Sequence, residues 1–149
     1  MKMNKVAMVT GSSRGMGKAE VYEFASTGYD VIVHYMNSRE AAENISKDIK
    51  EKYGVRAAVI KADLTKENEV RELAARALQE FGKVDVLVNN AGMALYNEFK
   101  KKTLQGFEQS MQVNLYAPFL LTQILGVEMA KNKYGKTRRS SKTGSVSCK

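Results

Sequence analysis

The chain is poor in the residues that crosslinking and many specialised sites require. Its 149 residues include one cysteine, Cys148, one histidine, His34, one proline, Pro118, and no tryptophan. A lone thiol excludes an internal disulfide and a cysteine-based zinc site. His34 falls at the end of an apolar run and reads as a strand-end residue; neither a Ser-His-Asp relay nor a metal constellation assembles around it. No uninterrupted apolar stretch reaches membrane-spanning length, and residues 1–9 are too short to form a secretory signal. No membrane partner and a cytoplasmic location are therefore expected. Acid is missing from residues 136–149, where Lys136, Arg138, Arg139, Lys142 and Lys149 stand. Of the net charge of +8 these five supply five, which leaves +3 for residues 1–135. A body so near neutrality is not a basic groove, and the basic segment has no aromatics for bases to stack on, so no nucleic-acid partner is expected.

What the chain does have is alternation. Residues 5–10 form an apolar run, and a helix over residues 15–27 closes at Gly28. A second buried strand spans Asp30–Tyr35; Ser38 then caps a helix that runs to Tyr53 and stops at Gly54. Residues 56–62 make a third strand. Residues 65–81 make an amphipathic helix with Val70, Leu73, Ala74 and Ala77 on one face, ended by Gly82. Residues 84–88 form the fourth strand. Short apolar strands separated by helices need crossover connections, so the spacing predicts an α/β, Rossmann-like, doubly wound parallel sheet in one domain over residues 1–135. A further helix is predicted over residues 104–131, bent or broken at Pro118. Beyond Gly135 the alternation stops, and residues 136–149 read as a basic, disordered tail.

Ligands of such sheets bind beyond the carboxyl ends of the strands. Residues 11–17, Tyr35, Asp63 and residues 89–92 all fall there. Thr10-Gly11-Ser12-Ser13-Arg14-Gly15-Met16-Gly17 leads from the first strand into the first helix, where bare backbone amides and a helix N-terminus suit a phosphate. A Walker-type loop is excluded, because five residues separate Gly11 from Gly17 and Lys18 is followed by Ala19. Glycine at such a turn also has a purely geometric use, so the loop alone does not prove a nucleotide site.

Taken together, these segments resemble the short-chain dehydrogenase/reductases, and within them the 3-oxoacyl-(acyl-carrier-protein) reductase type. The residues that match are the loop from Thr10 to Gly17, Asp63-Leu64, Asn89-Asn90-Ala91-Gly92, and Met111-Gln112-Val113-Asn114-Leu115, in the family's order. The resemblance implies that Gly11, Gly15 and Gly17 let the backbone close on a pyrophosphate, with Ser13, Arg14 and Met16 as further cofactor-binding residues of the loop. It implies that Asp63 and Leu64 meet the adenine, that Asn90, Ala91 and Gly92 flank the ribose and nicotinamide, and that Asn114 is the active-site asparagine. An acid at the end of the second strand would hold a ribose 2′-hydroxyl and repel a 2′-phosphate. Tyr35 stands there, with no acid at His34, Met36 or Asn37. Arg14, Ser38 and Arg39 are placed to neutralise a 2′-phosphate, so NADP(H) is expected over NAD(H). The implied activity is hydride transfer to a carbonyl, with a 3-oxoacyl thioester as the leading substrate; the helix around Met111 and Phe119 resembles a subunit-contact element, so a homo-oligomer is expected.

The sequence also departs from the family. The Ser, Tyr and Lys of the family's active site lie beyond a fifth strand, which the chain does not reach. Tyr96 and Lys100 share the Tyr-x-x-x-Lys spacing but follow the fourth strand directly, the wrong place for that role. The expectation is a truncated fragment without turnover, with a frame change or foreign tail near Lys136 and an exposed fourth-strand edge that favours self-association.

Overall fold

The computed structural model describes residues 3–138. Its strands are β1 (Val6–Val9), β2 (Asp30–Tyr35), β3 (Ala57–Lys61) and β4 (Val86–Val88). Its helices are α1 (Gly15–Ser26), α2 (Arg39–Tyr53), α3 (Glu67–Phe81), α4 (Leu104–Met111) and α5 (Ala117–Arg138). A 3-10 turn at Phe99–Lys101 precedes α4, and a π-helical turn at Gln112–Tyr116 joins α4 to α5. All strand pairs are parallel, in the order β3-β2-β1-β4. This is the predicted Rossmann-like sheet.

The two-residue period of the strands sorts their side chains to opposite faces. Met8, Ile32 and Ile60 point to one side and pack with Val70, Leu73, Ala74 and Ala77 of α3 and with Leu121 and Leu125 of α5. Val9, Val31 and Val33 point to the other, against Val21 and Ala25 of α1 and Ala42, Ile45 and Ile49 of α2. Because both faces are covered, β1 and β2 are buried at every position, which is why their sequences are continuously apolar. Asp30 and His34 are the buried polar exceptions in β2; the Asp30 carboxylate accepts from Arg56 N at 2.9 Å and Asn4 Nδ2 at 3.0 Å.

Several boundaries differ from expectation for local physical reasons. β2 has the expected bounds, while β1, β3 and β4 are shorter at their ends, most of all β4, which begins at Val86, where Asp85 turns its carboxylate onto the amide of Val6 at 2.8 Å. Thr65 does not join α3; its amide and hydroxyl both donate to Asp63 Oδ1, at 3.0 and 2.7 Å, and the helix begins at Glu67. Ser38 sits at the start of α2 without a capping hydrogen bond from its side chain. Pro118 does not break the last helix. It lies in the first turn of α5, and the irregularity falls just before it, where Ala117 N donates five residues back to Gln112 O. Proline has no N–H for the carbonyl of Asn114, four residues back, and the wider π turn accommodates that loss.

α5 runs on to Arg138, past Lys131 and Gly135, while residues 139–149, including Cys148, lie outside the described residues. The run Leu104–Lys133 is long and apolar enough to cross a membrane by length and composition, which the sequence reading did not expect of any segment. Its buried stripe of Ala117, Leu120, Leu121 and Leu125 packs into the core beside α3, the pattern of a helix that covers a sheet.

Candidate functional site

The carboxyl ends of β1, β2 and β3 and the segment after β4 enclose a crevice of about 710 Å3. Gly11, Ser13, Arg14 and Gly15 form one wall; Tyr35 and Ser38 follow β2; Asp63 and Leu64 follow β3; and Asn90, Ala91 and Gly92 form the wall beyond β4. These predicted site residues are thus brought together. His34, Met36, Asn37, Thr65, Met93, Gln109 and Val113 also line the crevice and were not among the candidates. Gln109 and Val113 come from α4 and the π turn, whose approach to the sheet no local pattern announces.

The glycine loop is shaped by close approach. Gly11 and Gly15 have φ of +64° and +58°, conformations that other residues rarely adopt. A Cβ at Gly11 would lie 3.0 Å from Ala91 Cα, whereas a Cβ at Gly15 would meet nothing within 4 Å. A Cβ at Gly17 would strike the Asn90 amide nitrogen and lie 2.7 Å from Gly11 O. Gly17 therefore seats the loop on the β4 segment, and Gly15 leaves open space. Asn90 Nδ2 donates to Thr10 O at 2.9 Å and Gly11 O at 3.2 Å, and the amide of Ala91 donates to Thr10 Oγ1 at 3.0 Å. These bonds turn the loop's carbonyls toward β4.

His34 is 2 % exposed and holds the loop from the other side. Its Nδ1 accepts from the Gly11 amide at 2.8 Å, and Nε2 lies 3.1 Å from Ala62 O. The imidazole is neutral with its proton on Nε2, and burial pushes its pKa below the ordinary histidine value, opposed by the bond to Ala62. Ser12 completes the joint: its amide donates to His34 O, its hydroxyl donates to Val9 O, and that oxygen accepts from the His34 amide. Sequence reasoning placed His34 correctly on a strand but missed this task, because the partner is 23 residues away.

Asp63 is a fixed anion at the β3 side. Burial raises its pKa, but the hydroxyl and amide of Thr65 and the ammonium of Lys66 outweigh burial and hold the carboxyl below its ordinary value. Its Oδ2 is 3.7 Å from Lys66 Nζ, and its amide donates to Glu69 Oε2 at 2.7 Å.

Four candidates lie apart from the crevice lining. Met16 is 77 % exposed. Gly17 acts from behind the loop. Arg39 does not reach the crevice, because its guanidinium pairs with Glu43 one helical turn on at 2.7 Å. Asn114 sits in the π turn with its amide spent on the backbone of Met93: Oδ1 accepts from Met93 N at 2.8 Å, and Nδ2 donates to Met93 O at 2.7 Å. Ser110 Oγ donates to the same carbonyl at 3.0 Å. Asn114 thereby fixes the segment after β4. Tyr96 and Lys100 do not form a helical pair: Tyr96 precedes the 3-10 turn, 94 % exposed, and Lys100 pairs with Glu98. Among the described residues no cluster of three His, Cys, Asp or Glu is arranged to hold a metal.

A glycine-rich strand-to-helix loop, a crevice over parallel strand ends and an Asn-Asn-Ala-Gly wall are together the features of a Rossmann-like doubly wound fold. The chain belongs to the short chain dehydrogenase family, whose profile matches residues 5–146, a span that includes most of the segment after Gly135. It is similar to the 3-oxoacyl-(acyl-carrier-protein) reductase FabG of Staphylococcus epidermidis, 38% identical over 133 residues, which are 89% of this chain and 54% of the relative. The corresponding Staphylococcus aureus protein is 36% identical over 135 residues, 91% of this chain and 54% of the relative. Among solved structures, a blue fluorescent protein from a metagenomic library in complex with NADPH is 38% identical with a TM-score of 0.80, matching 87% of this chain and 53% of that one. A short chain dehydrogenase from Burkholderia cenocepacia in complex with NADP is 36% identical with a TM-score of 0.79, matching 83% and 50%. The chain spans about half the length of the curated relatives it matches.

Proposed function

We propose that the crevice binds NADP(H) and that the chain is the cofactor-binding part of a carbonyl reductase with a 3-oxoacyl thioester-like substrate. The observation that carries this reading is the pairing of an open glycine wall with a cation and no acid beside the β2 end. Gly15 leaves space for a diphosphate, and Arg14 stands on the crevice wall opposite Tyr35 and Ser38. A 2′-phosphate there meets Arg14 and the Ser38 hydroxyl without a repelling carboxylate from β2. Arg39 takes part only by leaving Glu43, so Arg14 is the principal anion partner. Asp63 and Leu64 receive the adenine, Gly11 and Ser13 support the diphosphate, and Asn90, Ala91 and Gly92 border the ribose and nicotinamide. When bound, the nicotinamide supplies hydride chemistry. Asn114 acts as a positioning residue, through its grip on Met93. The similarity to solved NADPH and NADP complexes supports the same cofactor choice.

A polypeptide of these 149 residues binds without turnover in this reading, because Tyr96 and Lys100 are not placed as a proton-donating pair. The two-part division, with a separate basic tail following α5, is part of the same proposal. So is self-association of a cytoplasmic chain through the apolar surface of α4 and the helix that follows, where Leu104, Phe107, Leu115 and Phe119 are exposed. An NADPH titration run alongside NADPH oxidation with an acetoacetyl thioester tests the whole reading. Saturable binding without oxidation is the expected result; rapid oxidation overturns the inactive assignment, and absence of binding overturns the cofactor assignment.

A further inference from the structure

We infer that His34 is a positioning residue that holds the glycine loop in its cofactor-ready shape only while its imidazole is neutral, which makes nucleotide binding sensitive to mild acid. The inference deepens the NADP(H) reading and rests on it. The argument starts from what each ring nitrogen does. Nδ1 is an acceptor for the Gly11 amide at 2.8 Å, and Nε2, 3.1 Å from a carbonyl, is its only donor. Protonation puts a second N–H on Nδ1, pointing at the N–H of Gly11. Two donors then face each other at hydrogen-bond distance, at a ring that is 2 % exposed.

The loop cannot simply slide away, because its other face is set by Ala91 and Asn90, with a Gly11 Cβ position only 3.0 Å from Ala91 Cα. Relief therefore comes from turning Gly11, the residue that begins the phosphate wall. Charged groups around the imidazole do little to offset this. Arg14 on the loop and Asp63 after β3 share the crevice lining, and Asp63 is already engaged by Thr65 and Lys66. On β3 the register partner of His34 is Ile60, followed by Lys61, which is exposed. On β2 the neighbours are Val33 and Tyr35. Burial lowers the histidine pKa, in keeping with a ring that resists protonation in the folded chain.

Two substitutions separate the ring's two bonds. His34→Asn keeps an oxygen acceptor near the Nδ1 position, and His34→Gln keeps a donor near Nε2 but removes the acceptor. NADPH affinity is measured by calorimetry from about pH 8 to about pH 5.5 for the chain and both variants. Because the 2′-phosphate also titrates near pH 6, the readout is the difference between the unsubstituted chain and His34→Asn. The unsubstituted chain is expected to lose about twofold more affinity across this range than His34→Asn, all of it at the acid end where a ring with a depressed pKa begins to take up its proton, and His34→Gln to bind about tenfold more weakly at every pH. Parallel pH profiles for the unsubstituted chain and His34→Asn, or a His34→Gln variant as tight as the unsubstituted chain at high pH, overturn the inference. Hydrogen exchange at the Gly11 amide of the free chain, corrected for intrinsic rate, gives a readout that needs no cofactor. Protection in the unsubstituted chain and His34→Asn, but not in His34→Gln, supports the latch even if NADPH fails to bind, in which case only the cofactor reading falls. Equal protection in all three overturns the latch whatever NADPH does.

Discussion

The two halves of this small sheet are built to different standards. Around β1 and β2 every strand residue is buried, helices cover both faces, and the loop at the top is bonded from both sides by His34 and Asn90. Around β4 the strand has three half-buried residues, α4 buries none of its side chains, and Phe107, Leu115, Tyr116 and Phe119 are exposed. The first region pairs the polar groups of its loop and strand ends and buries its strands completely. The second leaves several large apolar side chains on its surface. The contrast shows that the glycine loop is set by contacts within residues 3–138, whereas the β4 side leaves large apolar side chains on the surface.

Single substitutions can break this contrast. The largest effect is expected inside α5, where Leu121 is fully buried against α3 and the sheet. Leu121→Ala should cost about 2–5 kcal/mol in denaturant unfolding. On the same stretch Phe119, 62 % exposed, tolerates Phe119→Ser within about 0.5 kcal/mol while raising solubility; equal losses at the two sites would erase the distinction.

Next in size is Gly17→Val, whose new carbons meet Asn90 and the Gly11 carbonyl. It should weaken NADPH binding about a hundredfold through displacement of the loop. Arg14→Ala should cost about tenfold in NADPH affinity and little in NADH affinity, read by parallel calorimetric titrations. Arg39→Ala, which removes only a surface pair with Glu43, should change NADPH affinity by less than about twofold.

The smallest effects are in pH. Asp63 has a folded pKa below its unfolded value, so its contribution to stability is fully present above about pH 3.9 and is lost as pH falls through the folded value. Thr65→Val removes the hydroxyl donor and should reduce that acid sensitivity in thermal melts between about pH 5 and about pH 3. His34 is also depressed, so its contribution is present above about pH 6.5 and declines as pH falls toward its folded value.

The distinction between the two halves also governs what could be read from the sequence. The β1-to-α3 portion was legible because each element repeats a local rule: an apolar run for a two-sided strand, a periodic face on α3, a glycine after each of α2 and α3. Most site residues followed from their place at the strand ends. What escaped was the side-chain partnering, some of it across the sheet and some within one helical turn. His34 engages a loop amide across the sheet, Arg39 is drawn to Glu43 by helical proximity, and Asn114 spends its amide on Met93. Pro118 was expected to bend or break its helix; the departure from α geometry falls just upstream, in a π turn that absorbs the missing N–H and has no compositional mark.

Titration of NADPH and NADH into the chain and into its Gly17→Val form tests the central claim most directly. The account predicts saturable binding to the unsubstituted chain, tighter for NADPH by about tenfold, and its near-complete loss on substitution. Folded chain that binds neither nucleotide, or a Gly17→Val form that binds as well as its parent, would contradict it.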